Sequence, residues 1–341
     1  MVTASLDKTA RIWNAATGQP IATLTGHTGP VWATSFSPDG GQVVTASLDQ
    51  TVRIWNAATG QLIATFTGQT GPVFAASFSP DGTRVMAVPV DQPPRIWATG
   101  RPIALTGHTG AVFAASFSPD GTRVVTASLD KTARIWNAAT GQPLATLTGH
   151  TDGVEAASFS PDGTRVVTTS RDKTARIWNA ATGQPIATLI GHTDGVEAAS
   201  FSPDGTRVVT ASEDRTSRIW NAATGQTIAI LTGHTAEVSA ASFSPDGTRV
   251  VTASLDNTAR IWSAAPEYVQ GLIRARTALC LPVPFRRNTL GEDQREAERH
   301  EKACQACMPK FFALLKGVPR GDAQAYITAW RAYRGCFDDA W

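Results

Sequence analysis

Along residues 2–264, apolar runs of five or six residues alternate with clusters of Gly, Pro, Asp, Asn and Ser. Runs of that length between turn residues predict strands. In residues 108–147, Val112–Phe117 alternates towards Ser118-Pro119-Asp120-Gly121, which suits a type I turn with Pro second and Gly fourth. Arg123–Ser128 is β-branched, Leu129-Asp130-Lys131 turns the chain, and Thr132–Trp136 reads as a third strand. Asn137–Gly141 then turns into a short outer strand, Pro143–Leu147, whose leading Pro sits where a missing N–H is tolerated. One unit is thus a four-stranded meander.

The unit recurs. Ile-Trp returns with tryptophans at Trp13, Trp55, Trp97, Trp136, Trp178, Trp220 and Trp262, a spacing of 42 broken once by 39. The short interval follows Trp97-Ala98-Thr99-Gly100, where residues are lost in a turn and its flank, the cheapest place for a deletion. A small sheet cannot bury both faces alone, so it stacks on its neighbours, and units of this length predict a radial stack. The chain opens at the second strand of its first unit and closes at the third strand of its seventh, which predicts twenty-six strands. Closure has two candidate donors, Glu267–Ile273 as a late outer strand or the N-terminal strand near Ile21–Leu24. Met1 directly before a mid-unit strand also raises the expectation of a longer parent chain with other domains.

The Gly-His pairs (Gly26-His27, Gly107-His108, Gly149-His150, Gly191-His192, Gly233-His234), the Ser-x-Asp turns and the Ile-Trp strands resemble the WD-repeat β-propeller family, bacterial type, over residues 2–264. The fold expected is all-β, a β-propeller of four-stranded antiparallel blades, seven in number with the first incomplete, followed by a small α-helical C-terminal tail. One departure is uniform: Trp is followed by Asn14, Asn56, Ala98, Asn137, Asn179, Asn221 or Ser263, never by Asp. It falls at a turn, where Asn is equally at home.

Units with His, Ser, Asp and Trp superficially suggest a hydrolase triad. The sets are His27, Ser47, Asp49, Trp55; His108, Ser128, Asp130, Trp136; His150, Ser170, Asp172, Trp178; His192, Ser212, Asp214, Trp220; and His234, Ser254, Asp256, Trp262. A nucleophile needs one preorganised setting, so five copies mean architecture. The resemblance implies a structural hydrogen-bonded tetrad in each blade. The third unit breaks it, with Gln69 for His, Pro89 for Ser and Pro93-Pro94 before Ile96-Trp97. The arginines before Ile-Trp (Arg11, Arg53, Arg134, Arg176, Arg218, Arg260) recur in register and so read as solvated or paired rather than as a ligand site.

Near-copies share their packing, so their differences point to function. Two variable positions lie on one rim by the family likeness. One follows the first Val of strand one, the other precedes the turn Asp. Ordered round the array they give an apolar arc, Trp32, Leu48, Phe74, Val90, Phe113 and Leu129, then a charged arc, Glu155, Arg171, Glu197 and Glu213, extended by Glu237 just before the first Val of the seventh unit. Adjoining apolar side chains bordered by charge suggest a docking surface for a protein or peptide.

Composition narrows the class. The 341 residues carry net charge +2, too balanced for the concentrated basic surface of a nucleic-acid binder. No run of eighteen apolar residues and no leader pattern occurs, so neither a membrane partner nor secretion is expected, and the location expected is cytoplasmic. No phosphate-binding Gly-rich loop appears, and no cofactor is expected. From Ala265 the period stops; 292–315 and 322–337 read as helices, dividing the chain into 1–264 and 265–341. Within that tail His300, Cys304 and Cys307 have ligand-like spacing, with Cys280 or Cys336 available, but one Cys-x-x-Cys is a weak zinc signal. The reading is a non-enzymatic scaffold or sensor module in signalling, with a structural spacer as the alternative and a pocket enzyme as the remote one.

Overall fold

A computed structural model describes residues 1–264 apart from Gln69 and 99–101. The tail helices, the proposed strand at Glu267–Ile273, and His300, Cys304, Cys307, Cys280 and Cys336 lie outside the described residues. Among the described residues there are twenty-six strands and no helix, arranged as seven antiparallel sheets. Five sheets have four strands and follow chain order. The first (Val2–Ala4, Ala10–Trp13, Pro20–Leu24) and the last (Val238–Phe243, Arg249–Ser254, Ala259–Ser263) have three. We call the sheets blades 1 to 7 and their strands a to d from the innermost outward. Blade 4, for example, is Val112–Phe117, Arg123–Ser128, Thr132–Asn137 and Pro143–Thr148.

Local chemistry sets the turns. In the a–b turn of blade 4, Gly121 N–H donates to Ser118 O at 2.8 Å with φ of +69°, a conformation Gly adopts without a Cβ penalty. In the c–d turn the Asn137 side-chain oxygen accepts from the amides of Ala139 at 2.9 Å and Thr140 at 3.0 Å. The carboxamide therefore holds this turn as an Asx motif, and Asp is not required for it.

The core lies between blades. Val125, Ala127, Ala133, Ile135 and Leu147 of blade 4 pack on Val154, Ala157, Val166 and Trp178 of blade 5. The same positions meet at the junction of blades 5 and 6, with Ile177 and Leu189 facing Val208 and Trp220. Each such Ile is worth about 1.5–3 kcal/mol when fully buried. The array does not interlock through its N-terminal strand. Pro20–Leu24 pairs with Ala10–Trp13 inside blade 1, correcting one of the two closures considered from sequence. On the outward face of blade 7 Val251 is 45% and Ile261 70% exposed, whereas their counterparts Val209 and Ile219 are 0% and 1%.

Candidate functional site

Strand a carries the first half of the site. In six blades the pairing of strands a and b slips between the first Val and the third residue, as at Val31/Ala33 and Val154/Ala156. The residue in the slip is Trp32, Phe74, Phe113, Glu155, Glu197 or Ser239. A β-bulge re-aims its extra side chain out of the regular alternation, so this position was free to vary. The b–c turn supplies the second half. There the N–H of Leu48, Val90, Leu129, Arg171, Glu213 or Leu255 donates to the backbone just before strand a, for example Leu129 to Ala111 O at 2.9 Å and Glu213 to Gly195 O at 2.9 Å. That bond seats each turn residue beside its bulge.

The two arcs meet at this end of the blades. Trp32, 54% exposed, lies 5.4 Å from the Phe74 ring in a tilted pair. Leu48, Phe74, Val90 and Phe113 are half-buried and Leu129 is exposed. Arg171 joins the arcs: its guanidinium is 5.8 Å from the Phe113 ring while its Nε donates to Glu155. Burial raises the Glu155 carboxyl above its ordinary range against the pull of Arg171. Burial, then the facing Glu213 carboxyl and the charge of Glu155, push Glu197 up to about 7. Glu237 is exposed but sits in neither row: it precedes strand a of blade 7, where its carbonyl accepts from Leu255 N–H and Ser239 holds the bulge.

Beneath this surface runs a chain of hydrogen bonds whose linking member is Thr, not the Ser expected from sequence. In blade 4, Trp136 Nε1–H donates to Thr126 Oγ1 at 2.8 Å, and that hydroxyl reaches His108 Nε2 at 2.7 Å. His108 Nδ1 meets Asp130 at 2.7 Å, which assigns the Nδ1–H tautomer to the network. Thr45, Thr168, Thr210 and Thr252 play the same part for His27, His150, His192 and His234. The sequence-expected serines do another job. Ser128 Oγ donates to Gly110 O at 3.1 Å and accepts from Asp130 N at 3.1 Å, as Ser47, Ser170, Ser212 and Ser254 do in their blades. Desolvation lowers the His27, His108, His150 and His192 rings below the ordinary imidazole range, overriding their Asp partners. Burial alone would raise Asp130, but bonds from Thr132, His108 and the Thr109 amide hold it at about 2. A neutral imidazole locked at both nitrogens has no free base to offer chemistry. Among the described residues no His, Cys, Asp and Glu cluster has metal-binding geometry.

Two arginine sets complete the frame. Of those before Ile-Trp, Arg11 pairs with Asp7 at 2.8 Å and the other five lie under the Gly-His glycines: a Cβ on Gly107 would stand 2.6 Å from Arg134 Nη1, which explains the Gly at φ +148°. The second set escaped the sequence reading. Arg84, Arg123, Arg165 and Arg207 each sit 5.1–5.4 Å from a Phe ring of the next blade. Each donates to a glycine carbonyl there, Arg165 to Gly205 O at 2.7 Å. Their period was visible, but the partner lies a whole unit away. Blade 3 lacks the chain of bonds at its root, since Ala87 stands where the linking Thr belongs. Gln69 lies outside the described residues.

Known proteins fit this architecture. The profile of the WD domain, G-beta repeat family matches residues 18–56, 60–88, 101–137, 141–179, 183–221 and 225–263. The chain therefore belongs to the WD40 family, whose repeats generally mediate protein–protein interaction and are typically non-enzymatic. No curated protein matches it. Among solved structures, the crystal structure of the computationally designed Ika8 protein is similar with a TM-score of 0.69 and 32% identity, covering 77% of this chain and 80% of that one.

Proposed function

We propose that the chain is a non-enzymatic interaction platform that binds a protein or peptide on the end of the blades carrying the bulges and b–c turns. The observation that carries it is the row of bulge side chains, led by the exposed Trp32 stacked on Phe74. A packing role alone would bury an indole, as it buries Trp55, Trp136, Trp178 and Trp220 at 0–1% exposure. Aromatic anchors bordered by charge are the usual make-up of a binding hot spot. Glu155, Arg171, Glu197, Glu213 and Glu237 would then set register and exclude wrong partners. Affinity capture with the full chain tests this. Wild type retains a specific protein that Trp32→Ala with Phe113→Ala loses, at unchanged melting temperature. Undiminished capture by that double variant with a lowered melting temperature assigns both rings to packing instead.

A further inference from the structure

The b–c turn of blade 3 is built differently from the other six. In those, the residue after the turn Asp is left-handed: Lys8, Gln50, Lys131, Lys173, Arg215 and Asn257 have φ between 63° and 72°. Gln92 does not, because Pro93 follows it and restricts the preceding residue to extended backbone. Between this rerouted turn and the loop entering blade 4 lies a cavity of about 350 Å³, in the size range of small-molecule sites. Its wall includes Asp91, Gln92, Pro93, Pro94, Leu105 and Thr109.

We propose that this cavity binds the ε-ammonium of a lysine presented by a peptide. The wall offers acceptors. Gln92 Nε2 donates to Thr70 Oγ1 at 2.6 Å, and its Oε1 is buried with no partner. Asp91 is the counterpart of Asp49 and Asp130, each gripped by an imidazole and a Thr hydroxyl. At those partner positions this unit has Gln69 and Pro93, and Pro93 has no hydroxyl to give. Two guanidiniums lie nearby: Arg95 donates to Gly68 O at 3.2 Å, and Arg134 lies against the Trp136 ring beneath Gly107, the Nε of each having no partner. His108, also on the wall, has both ring nitrogens engaged. Pro93, Pro94 and Leu105 provide an apolar flank for a four-carbon stem.

One blade shows a lysine making such a contact at this level. At the junction of blades 5 and 6, Lys173 Nζ donates across to Thr193 O at 2.9 Å. In blade 3 the residue in the place of Lys173 is Gln92, and the carbonyl in the place of Thr193 O is that of Thr109. An incoming lysine would restore across chains the contact that blade 5 makes within its own. The inference does not rest on the rim reading, because a lysine amide can bind here whether or not a protein docks on the arcs.

The test is an amide NMR titration of the full chain with Nα-acetyl-lysine N-methylamide. Saturable shifts are expected at Gln92, Thr109 and Gly110, with the norleucine analogue and Asp91→Asn each weakening binding at least about tenfold. Gln92→Lys with Pro93→Thr, which rebuilds the ordinary turn and supplies an internal ammonium, should abolish it. Asp91 is exposed, so its variant is expected to keep the wild-type melting temperature. No saturable shifts, or equal affinity for the norleucine analogue or for Asp91→Asn, overturns the proposal. Tighter binding of n-butylammonium than of the lysine amide overturns its assignment to a peptide.

Discussion

Arg165 of blade 5 donates from Nη2 to Gly205 O of blade 6 at 2.7 Å while its guanidinium lies 5.3 Å from the Phe201 ring. One side chain thus fastens two blades by a charge-assisted hydrogen bond and a cation–π contact. Arg165→Met keeps the apolar stem and removes both. It should lower stability by about 1.5–3 kcal/mol in urea denaturation. Arg249→Met is the control, because it occupies the same place in blade 7, after which the described residues hold no further blade, and it should change stability by less than about 0.5 kcal/mol.

Thr126 stands between two buried rings. Thr126→Val removes the acceptor for Trp136 Nε1 and the donor to His108 Nε2 and leaves both without a partner. The cost should be about 1–3 kcal/mol, with the His108 ring losing its fixed tautomer in nitrogen NMR spectra. An unchanged ring signal and stability within about 0.5 kcal/mol of wild type would refute the linking role.

Blade 3 has Ala87 for the linking Thr, Pro93-Pro94 leading into a third strand of only Arg95–Trp97, and a fourth of only Ile103–Ala104. Two missing donors and short strands leave little to hold its outer half. Native-state hydrogen exchange should find this blade the first to open, with lower protection at Ile96 than at Ile135 or Ile177. Finding it the best protected blade contradicts this.

Glu197 is raised to about 7 from an ordinary 4.5, so the folded state binds its proton more tightly than the unfolded state does. That preference stabilises the fold fully below the unfolded value and is lost as pH rises through about 7. Glu197→Gln, a permanent mimic of the protonated form, should raise the melting temperature at pH 8.5 and leave it unchanged at pH 4, both conditions being read by thermal denaturation. An equal effect at both would show that Glu197 and Glu213 do not oppose one another.

The strand count, the seven units and the incomplete ends were legible because a 42-residue period fixes turn chemistry at every copy. The linking residue was not. Thr45 and Ser47 lie on the same face of strand b, and composition favours neither. Geometry decides it: Val43 pairs with Trp55, and at about 3.3 Å per residue Thr45 is one side-chain step from that level while Ser47 is two. The rim positions emerged from variation between copies, yet the reason they vary, the bulge, is a matter of register between strands and leaves no mark of its own in the sequence. Closure through the N-terminal strand failed for a related cause, since Pro20–Leu24 suits any neighbouring strand and finds the one a single turn before it in its own blade.

The docking claim rests on which end of the blades meets the partner, and hydrogen-exchange footprinting of the captured complex reads that directly. The account predicts protection concentrated at Trp32, Phe74, Phe113 and the b–c turns that hold Leu48 and Leu129. Protection falling instead on the Ser-Pro-Asp-Gly turns at the opposite end, with Trp32 exchanging as in the free protein, would contradict it.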